Sequence, residues 1–367
     1  LAADADLPSL PPHEMRLGDP DAALAAAPHR IAGTLHVGGQ DHFYLEGQVA
    51  LAVPGEGPDL HVWTSTQHPT ETQHVIARVL GCADADVTVE VRRMGGAFGG
   101  KETQSVQWAA MAALTAHKTR RPAKIRLDRD DDMVMTGKRH DFAIDWELGF
   151  DADGRLHGAA FELASRCGHS ADLSHAINDR AMFHVDNAYC LQAAEIVSHR
   201  LRTHTVSNTA FRGFGGPQGM MAIERALDAA ALELGKDPLD VRLVNLYGVS
   251  GDLTPYGQRV TDSVALPIMT ELADSCDYRA RRAAVAAWNA EHEHLKRGIA
   301  LTPVKFGISF TTTHLNQAAA LVHVYTDGSI SLNHGGTEMG QGLNIKVAQV
   351  VADAFQVPLA QVKITST

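Results

Sequence analysis

From Val87 to Val91 apolar and polar residues alternate, with valine at every apolar position, which predicts a strand. From Thr103 to His117 the apolar residues Val106, Trp108, Met111, Ala112 and Leu114 recur at helical spacing, which predicts a helix. Between them lies Met94-Gly-Gly-Ala-Phe-Gly-Gly-Lys-Glu102, with four glycines in six residues. Such a loop lets the backbone turn sharply and approach a ligand. The helix start after it offers unpaired N–H groups and a positive dipole end to an anion.

The strand, glycine loop and helix recur twice. Ala194 to His204 reads as a strand, Ala210-Phe-Arg-Gly-Phe-Gly-Gly-Pro217 as the loop, and Gln218 to Leu234 as a helix ended by Gly235. Ser329 to Asn333, the loop His334-Gly-Gly-Thr-Glu-Met-Gly-Gln-Gly342 and the helix Leu343 to Phe355 form the third unit. Three such units would bring several bare backbone segments to one large anionic ligand, provided they converge.

The rest of the pattern fills in around these units. Glu46 to Val53, Leu60 to Thr66 and Lys124 to Leu127 read as strands, and Thr70 to Leu80 as a helix closed by Gly81. Phe142 to Phe150 and Leu156 to Ser165 flank the hairpin signal Asp153-Gly154. Ala171 to Val185 reads as a helix containing Arg180, and Asp237-Pro238 opens another, with aspartate as cap and proline at the first helical position. Gly248 to Val260 reads as a loop at a domain boundary, followed by helices over Ser263 to Cys276 and Tyr278 to His292 and strands over Gly298 to Phe310 and Ala319 to Tyr325. Residues 1–28, rich in Pro, Ala and Asp, carry little periodicity and read as a linker or arm. Asp128 to Asp132 lacks the glycine and glutamate of a calcium loop and reads as a solvated acidic turn.

Composition narrows the chemistry. The 367 residues leave room for two domains or one large one, and 45% apolar content supports a core. A net charge of −11 without a Lys/Arg run argues against nucleic acid or a membrane surface as partner. No stretch approaches the ~20 apolar residues of a membrane span. No charged-then-apolar leader is present, so the reading is cytoplasmic. Cys82, Cys167, Cys190 and Cys276 lie far apart, without zinc or iron–sulfur spacing, and read as reduced thiols. Gly95-x-x-x-x-Gly100-Lys101 has the spacing of a nucleotide phosphate loop, but Glu102 stands where a Ser or Thr must hold magnesium, so ATP and GTP are excluded. The chain begins at Leu1, and its last strand pattern, Gln361 to Thr365, stops without a turn, so it reads as a fragment.

Four segments together resemble the molybdenum-binding subunit of the xanthine dehydrogenase family of molybdenum hydroxylases. They are Gly95 to Glu102, Ser207 to Gln218, Phe306-Gly-Ile-Ser-Phe-Thr311 and His334 to Gly342. The resemblance runs from about Pro28 to Thr367. It implies an α+β fold of two mixed α/β molybdopterin-binding domains, the second truncated. Residues 1–28 would be an arm, 29–255 the first domain and 262–367 the N-terminal part of the second. It implies hydroxylation of a purine, hypoxanthine to xanthine or xanthine to urate. Electrons would pass to 2Fe–2S and FAD centres on a partner subunit or a missing region, with NAD as acceptor, in a dimer of heterodimers.

The resemblance also implies roles residue by residue. Gln67, through its side-chain amide, the backbone of Phe98, and Arg212 stand on the metal side. Gly95, Gly96, Phe98 and Gly99, with Met339, Gly340 and Gln341, hold the cofactor. Glu102 and Arg180 anchor the purine as the catalytic pair. Phe214 and Phe310 sandwich its flat ring, with Thr311 beside them. Aromatic faces suit such a ring, and an acid and an arginine suit its polar rim. The family's general-base glutamate sits in a Gly-Glu-Pro context that does not occur here, so the chain carries the anchors without the base.

Other readings stay open at this stage. Phe214 and Phe310 singly fit a core, Arg180 a solvated helix face, and Glu102 an acid in a helix first turn. Within the same fold, aldehyde oxidoreductases share the glycine loops but usually lack the Glu102/Arg180 pair. Carbon monoxide dehydrogenases carry a copper-binding cysteine that is missing from Ala210 to Pro217. From a different class, a non-catalytic assembly module would bind no molybdenum.

Overall fold

The computed structural model describes residues 10–308, 310, 313, 316–365 and 367, and Thr311 therefore lies outside the described residues. The chain opens with β1 (Leu10–Leu17), α1 (Pro20–Ala26) and β2 (His29–Val37). β3 (Val49–Pro54), β4 (Leu60–Thr64), α2 (Pro69–Leu80), β5 (Val87–Glu90), α3 (Val106–Thr119), β6 (Ala123–Arg126) and α4 (Arg129–Met135) follow. Next come β7 (Phe142–Phe150), β8 (Leu156–Gly168), α5 (Ser174–Met182), β9 (Ala194–Arg202), α6 (Gly216–Leu234) and α7 (Pro238–Asn245). The chain closes with α8 (Ala265–Ser275), α9 (Tyr278–Glu291), β10 (Ala320–Val324), β11 (Ile330–His334), α10 (Leu343–Phe355) and β12 (Val362–Ile364).

Three sheets result. The largest runs β1-β9-β8-β7-β2, a second β5-β4-β3-β6, and a third β10-β11-β12. The β7–β8 hairpin is antiparallel, whereas β8 pairs parallel with β9 across the crossover that holds α5. The alternation seen in β7 is explained by its burial: Phe142, Ile144, Trp146 and Leu148 face the core. Phe161 and Leu163 of β8, Ile196 of β9, and Ala222, Ile223, Ala226 and Ala230 of α6 complete that core. Fully burying one such Phe or Ile contributes about 1.5–3 kcal/mol. A second core joins β3, β4 and β5 to the alanine face of α3 and to Ile76 of α2. Among the described residues no helix is long and apolar enough to cross a membrane.

Several elements depart from the sequence reading. Residues 10–26 are not an arm: β1 adds an edge strand antiparallel to β9, and α1 is capped by Asp19, whose side chain accepts the Ala22 N–H. Asp128 to Asp132 opens a helix rather than forming a turn, with Asp128, Asp130 and Asp131 exposed and Asp132 not. Asp128 caps α4, and Asp132 is buried, accepting from Tyr44 Oη at 2.6 Å and from the Gln48 N–H at 3.1 Å. α3 begins only at Val106, so Glu102 lies in the turn before the helix rather than in its first turn. Residues 298–308 form no strand; side chains of α5 and of the residues that follow it hold 303–307 instead. The four cysteines are free thiols, as expected.

Candidate active site

The three glycine loops converge, and the first is the hinge of the set. Arg212 of the second loop donates its N–H to Phe98 O at 2.9 Å. Met94, at the mouth of the first, donates its N–H to Glu338 O of the third at 2.9 Å. Met339 packs on Val91, Met94 and Ala97. The approach is close enough to require glycine: a Cβ on Gly99 would lie 2.6 Å from Ala210 O. The second loop is held from behind, where the Arg139 guanidinium stacks 3.8 Å from the Phe211 ring and Nη2 donates to Arg212 O at 2.8 Å. Phe98 and Phe214 both carry positive φ, 54° and 49°. A bulky residue there is strained, and such strain gathers at binding sites.

Within the first loop the hydrogen bonds can be accounted for one by one. Gly95 N–H is taken by Glu46 at 2.5 Å. Gln67 Oε1 accepts from Gly99 N–H at 2.9 Å and Lys101 N–H at 3.3 Å. Among the described residues the N–H groups of Gly96, Ala97 and Phe98 have no acceptor, and Gln67 Nε2 has none either. These donors fit an anionic, oxygen-rich cofactor. Lys101 does not serve that face. It is fully buried, with Nζ donating to Glu46 O at 2.6 Å and Ser65 Oγ at 2.8 Å, and burial lowers it to about 8.

The third loop satisfies itself. The Glu338 carboxylate accepts from the N–H groups of Gly340, Gly342 and Asn344 at 2.9, 3.0 and 3.0 Å. Gln341 folds back, with Oε1 accepting the Met339 N–H at 2.6 Å and Nε2 donating to Thr337 O at 2.9 Å. The start of α10, expected to be open to an anion, is therefore filled by the loop's own glutamate. Those N–H groups hold Glu338 below the usual carboxylate range. Its contribution to stability is thus present above the ordinary glutamate pKa and is lost as the pH falls through the lowered one. Glu338→Ala should speed amide exchange at Gly340, Gly342 and Asn344 by about tenfold, since losing such a cap costs ~0.5–2 kcal/mol. Exchange unchanged in that variant would show the loop to be held otherwise.

Glu102 and Arg180 come from separate segments. Burial pushes the Glu102 carboxyl up to about 7, and the charge of Asp172 pushes it the same way. Arg180, in the last turn of α5, is 4% exposed rather than on a solvated face. Its guanidinium lies 5.8 Å from the Phe214 ring and 5.1 Å from the Phe306 ring. Nη1 donates to Gly307 O. His184 grips the other side of that residue. Its Nδ1 lies 2.7 Å from Arg180 O and its Nε2 takes the Gly307 N–H at 3.1 Å, so the ring is the neutral Nδ1–H tautomer. Burial holds His184 down to about 4, consistent with that state. Asn187 extends the grip, donating to Pro303 O at 2.9 Å and accepting the Lys305 N–H at 3.0 Å. Side chains from Arg180 to Asn187 thus do for residues 303–307 what a neighbouring strand would do.

Phe214 and Phe310 meet, with ring centroids 5.3 Å apart and planes inclined at 54°. That spacing leaves no room for a ring between them, so a flat ligand would lie against the pair or part it. His184, Asp172, Glu338 and Phe306 were not singled out from sequence as site residues. Glu338 and Phe306 stood inside recognised motifs, whereas a lone His or Asp carries no local signal. A cavity of about 340 Å³ under α8 is lined by Met269, Leu272, Leu301 and Val304 and borders the 303–305 segment that Asn187 holds.

Residues 6–246 and 271–367 match two models, each described as a molybdopterin cofactor-binding domain. The chain is 43% identical over 351 residues to a xanthine dehydrogenase of Emericella nidulans, covering 95% of this chain and 26% of the relative. It is 44% identical over 355 residues to a nicotinate hydroxylase of the same organism, covering 96% and 26%. The chain thus spans about a quarter of the length of these curated relatives. Its fold matches that of quinoline 2-oxidoreductase from Pseudomonas putida 86 with a TM-score of 0.84 at 21% identity, covering 97% of this chain and 47% of that one.

Proposed function

The chain belongs to the molybdopterin cofactor-binding domain family, and on that premise we propose that it forms the cofactor and substrate face of a molybdenum hydroxylase acting on a purine. The observation that carries the reading is a partly buried acid raised to about 7 together with a buried arginine beside Phe214. A carboxyl raised to about 7 keeps a substantial protonated fraction near pH 7, and that form can donate a hydrogen bond to a ring nitrogen or carbonyl oxygen, while the guanidinium stabilises negative charge developing on the heterocycle. An aldehyde asks for neither group.

In this reading Gln67, the backbone of Gly95 to Gly99 and Arg212 face the cofactor, and Met339, Gly340 and Gln341 border it. When bound, the molybdenum centre supplies oxygen transfer and accepts two electrons. Glu102 and Arg180 orient the substrate, and Phe214 and Phe310, with Thr311, cover its faces. The proton acceptor and the iron–sulfur and flavin centres that carry electrons to NAD would come from outside residues 1–367. The molybdopterin-binding units would span 29–255 and 262–367.

The test compares kcat/KM for xanthine and hypoxanthine with that for an aromatic aldehyde and for nicotinate, using the full-length, cofactor-loaded protein. A purine preference of at least about a hundredfold is expected, since a site built around two polar anchors rejects analogues that leave them unpaired. Preference for the aldehyde or for nicotinate would overturn the substrate assignment and leave the fold and cofactor reading in place.

A further inference from the structure

Arg180, His184 and Gly307 form a closed circuit of hydrogen bonds. Arg180 Nη1 donates to Gly307 O, Gly307 N–H donates to His184 Nε2 at 3.1 Å, and His184 Nδ1 donates to Arg180 O at 2.7 Å. The circuit closes because α5 ends here. The His184 N–H turns to Ala181 O at 3.1 Å, so the Arg180 carbonyl lacks its regular helical donor. It is one of the acceptors that a helix leaves open at its C-terminus, and the His184 side chain supplies the donor.

Both bonds to the imidazole need the same state of the ring. A neutral imidazole offers one N–H and one lone pair, and the circuit uses each once. The other neutral tautomer would set Nε2–H against the Gly307 N–H and a lone pair against Arg180 O. An imidazolium could not accept from Gly307 at all. Burial holds the ring neutral; the bond to Arg180 O pulls the other way, and the Arg180 and Lys305 cations add to the effect of burial.

The ring is also confined. Its centroid lies 4.9 Å from that of Phe306, and the start of α6 backs both: a Cβ on Gly216 would lie 2.7 Å from Phe306 Cε2 and 3.5 Å from His184 Cδ2. The bond to Gly307 alone would brace residues 303–307, a task that Asn187 already performs through Pro303 O and the Lys305 N–H. The second bond, to Arg180 O, ties that brace to the residue whose guanidinium lies 5.8 Å from the Phe214 ring.

Resting on the purine reading above, we propose that His184 is a positioning residue for Arg180: it fixes both the backbone that carries the guanidinium and the Gly307 carbonyl that orients it, and so keeps this anchor beside Phe214 for the bound heterocycle.

The test uses His184→Asn and His184→Gln in the full-length, cofactor-loaded protein. Asparagine puts its amide near the place of Nδ1, so it can keep the bond to Arg180 O and loses the one to Gly307. Glutamine reaches the place of Nε2, so its oxygen can accept the Gly307 N–H. His184→Ala, which removes both bonds without adding bulk, stands in if the asparagine variant does not fold. In crystals of the substrate-free protein the guanidinium should leave Phe214 in the asparagine and alanine variants and stay beside it in the glutamine variant. His184→Asn should lower purine kcat/KM by about tenfold to a hundredfold, as expected for a misplaced binding group, and aldehyde kcat/KM by far less. Added to Arg180→Met it should cost nothing further, because residues that act through one another do not add. The proposal is overturned by a guanidinium that stays beside Phe214 in the asparagine or alanine variant, by equal displacement in the glutamine variant, or by losses that add to those of Arg180→Met. Failure of the purine reading would show separately, as an aldehyde or nicotinate preference in the unmodified protein, while the place of the guanidinium would still decide the role of His184.

Discussion

Arg180→Met is expected to lower kcat/KM for a purine by about 10²–10³, the usual cost of removing one group that stabilises charge developing in a transition state. Aldehyde turnover should fall far less. The argument runs from burial to chemistry. The residue is 4% exposed, so its charge is less screened than a surface one. Burial lowers its pKa from the ordinary arginine value, which leaves it a cation throughout the working range. It lies beside the Phe214 ring, against which a flat substrate would rest. Methionine keeps the length and the apolar contact with Phe306 while removing the charge. The variant gives up the donor to Gly307 O, at a cost of about 1–3 kcal/mol, so its thermal melt is measured alongside the kinetics. Arg180 also donates to Gly307 O, which supplies the rival explanation, namely that the side chain merely holds residues 303–307. The two part company in the kinetics. Loss of an anchor falls mainly on the purine, whereas a loosened 303–307 segment would degrade both substrates. Equal losses would place Arg180 among the supports rather than the anchors.

The same residues show how far a sequence can be read. The β7–β8 hairpin and the cap of α7 were legible because their causes are local: a period of two around Asp-Gly, and an aspartate followed by proline. The Asp237 side chain does accept the Leu239 N–H, at 2.9 Å. β1 was not legible, because an edge strand holding Pro11, Pro12, His13, Glu14 and Arg16 shows no apolar period, and its partner β9 lies far along the chain. Residues 298–308 failed the other way. Their alternation looks like a strand, but their hydrogen bonds go to side chains of Arg180, His184 and Asn187. Asp132 looked solvated because Tyr44 and Gln48, which bury it, are remote in sequence. In the site, the glycine loops announced themselves through composition, but not that the third would be capped by Glu338. Nor could spacing show that the Arg180 guanidinium lies between Phe214 and Phe306, since that depends on how α5 packs.

The packing of α5 leads to the second large effect. Gly215→Ala should destabilise the protein by about 2–5 kcal/mol, summing the penalty of left-handed φ for an L-residue and the cost of overpacking. Gly215 caps α6 with φ 94°, and a Cβ there would lie 2.0 Å from Ile177 O and 3.2 Å from Ala181 N, both on α5. Those atoms are backbone, so no change of rotamer relieves the contact and the two helices must separate. Gly219, one turn later, makes the same demand, with its Cβ position 2.1 Å from Ala181 O. Gly235→Ala is the matched control. It also has positive φ, at 63°, but nothing lies within 4 Å of its Cβ position, so it should cost only about 1 kcal/mol. Denaturant midpoints of the two variants read the difference directly. A Gly215→Ala cost no larger than that of Gly235→Ala would mean that α5 and α6 slide apart freely. The 5.8 Å approach of Arg180 to Phe214 would then not be set by glycine packing. The expected outcome instead ties fold to function. The glycines at the start of α6 set how close α5 comes, and α5 carries Arg180. A separation of the helices should therefore also cost turnover, because it withdraws Arg180 from the Phe214 ring.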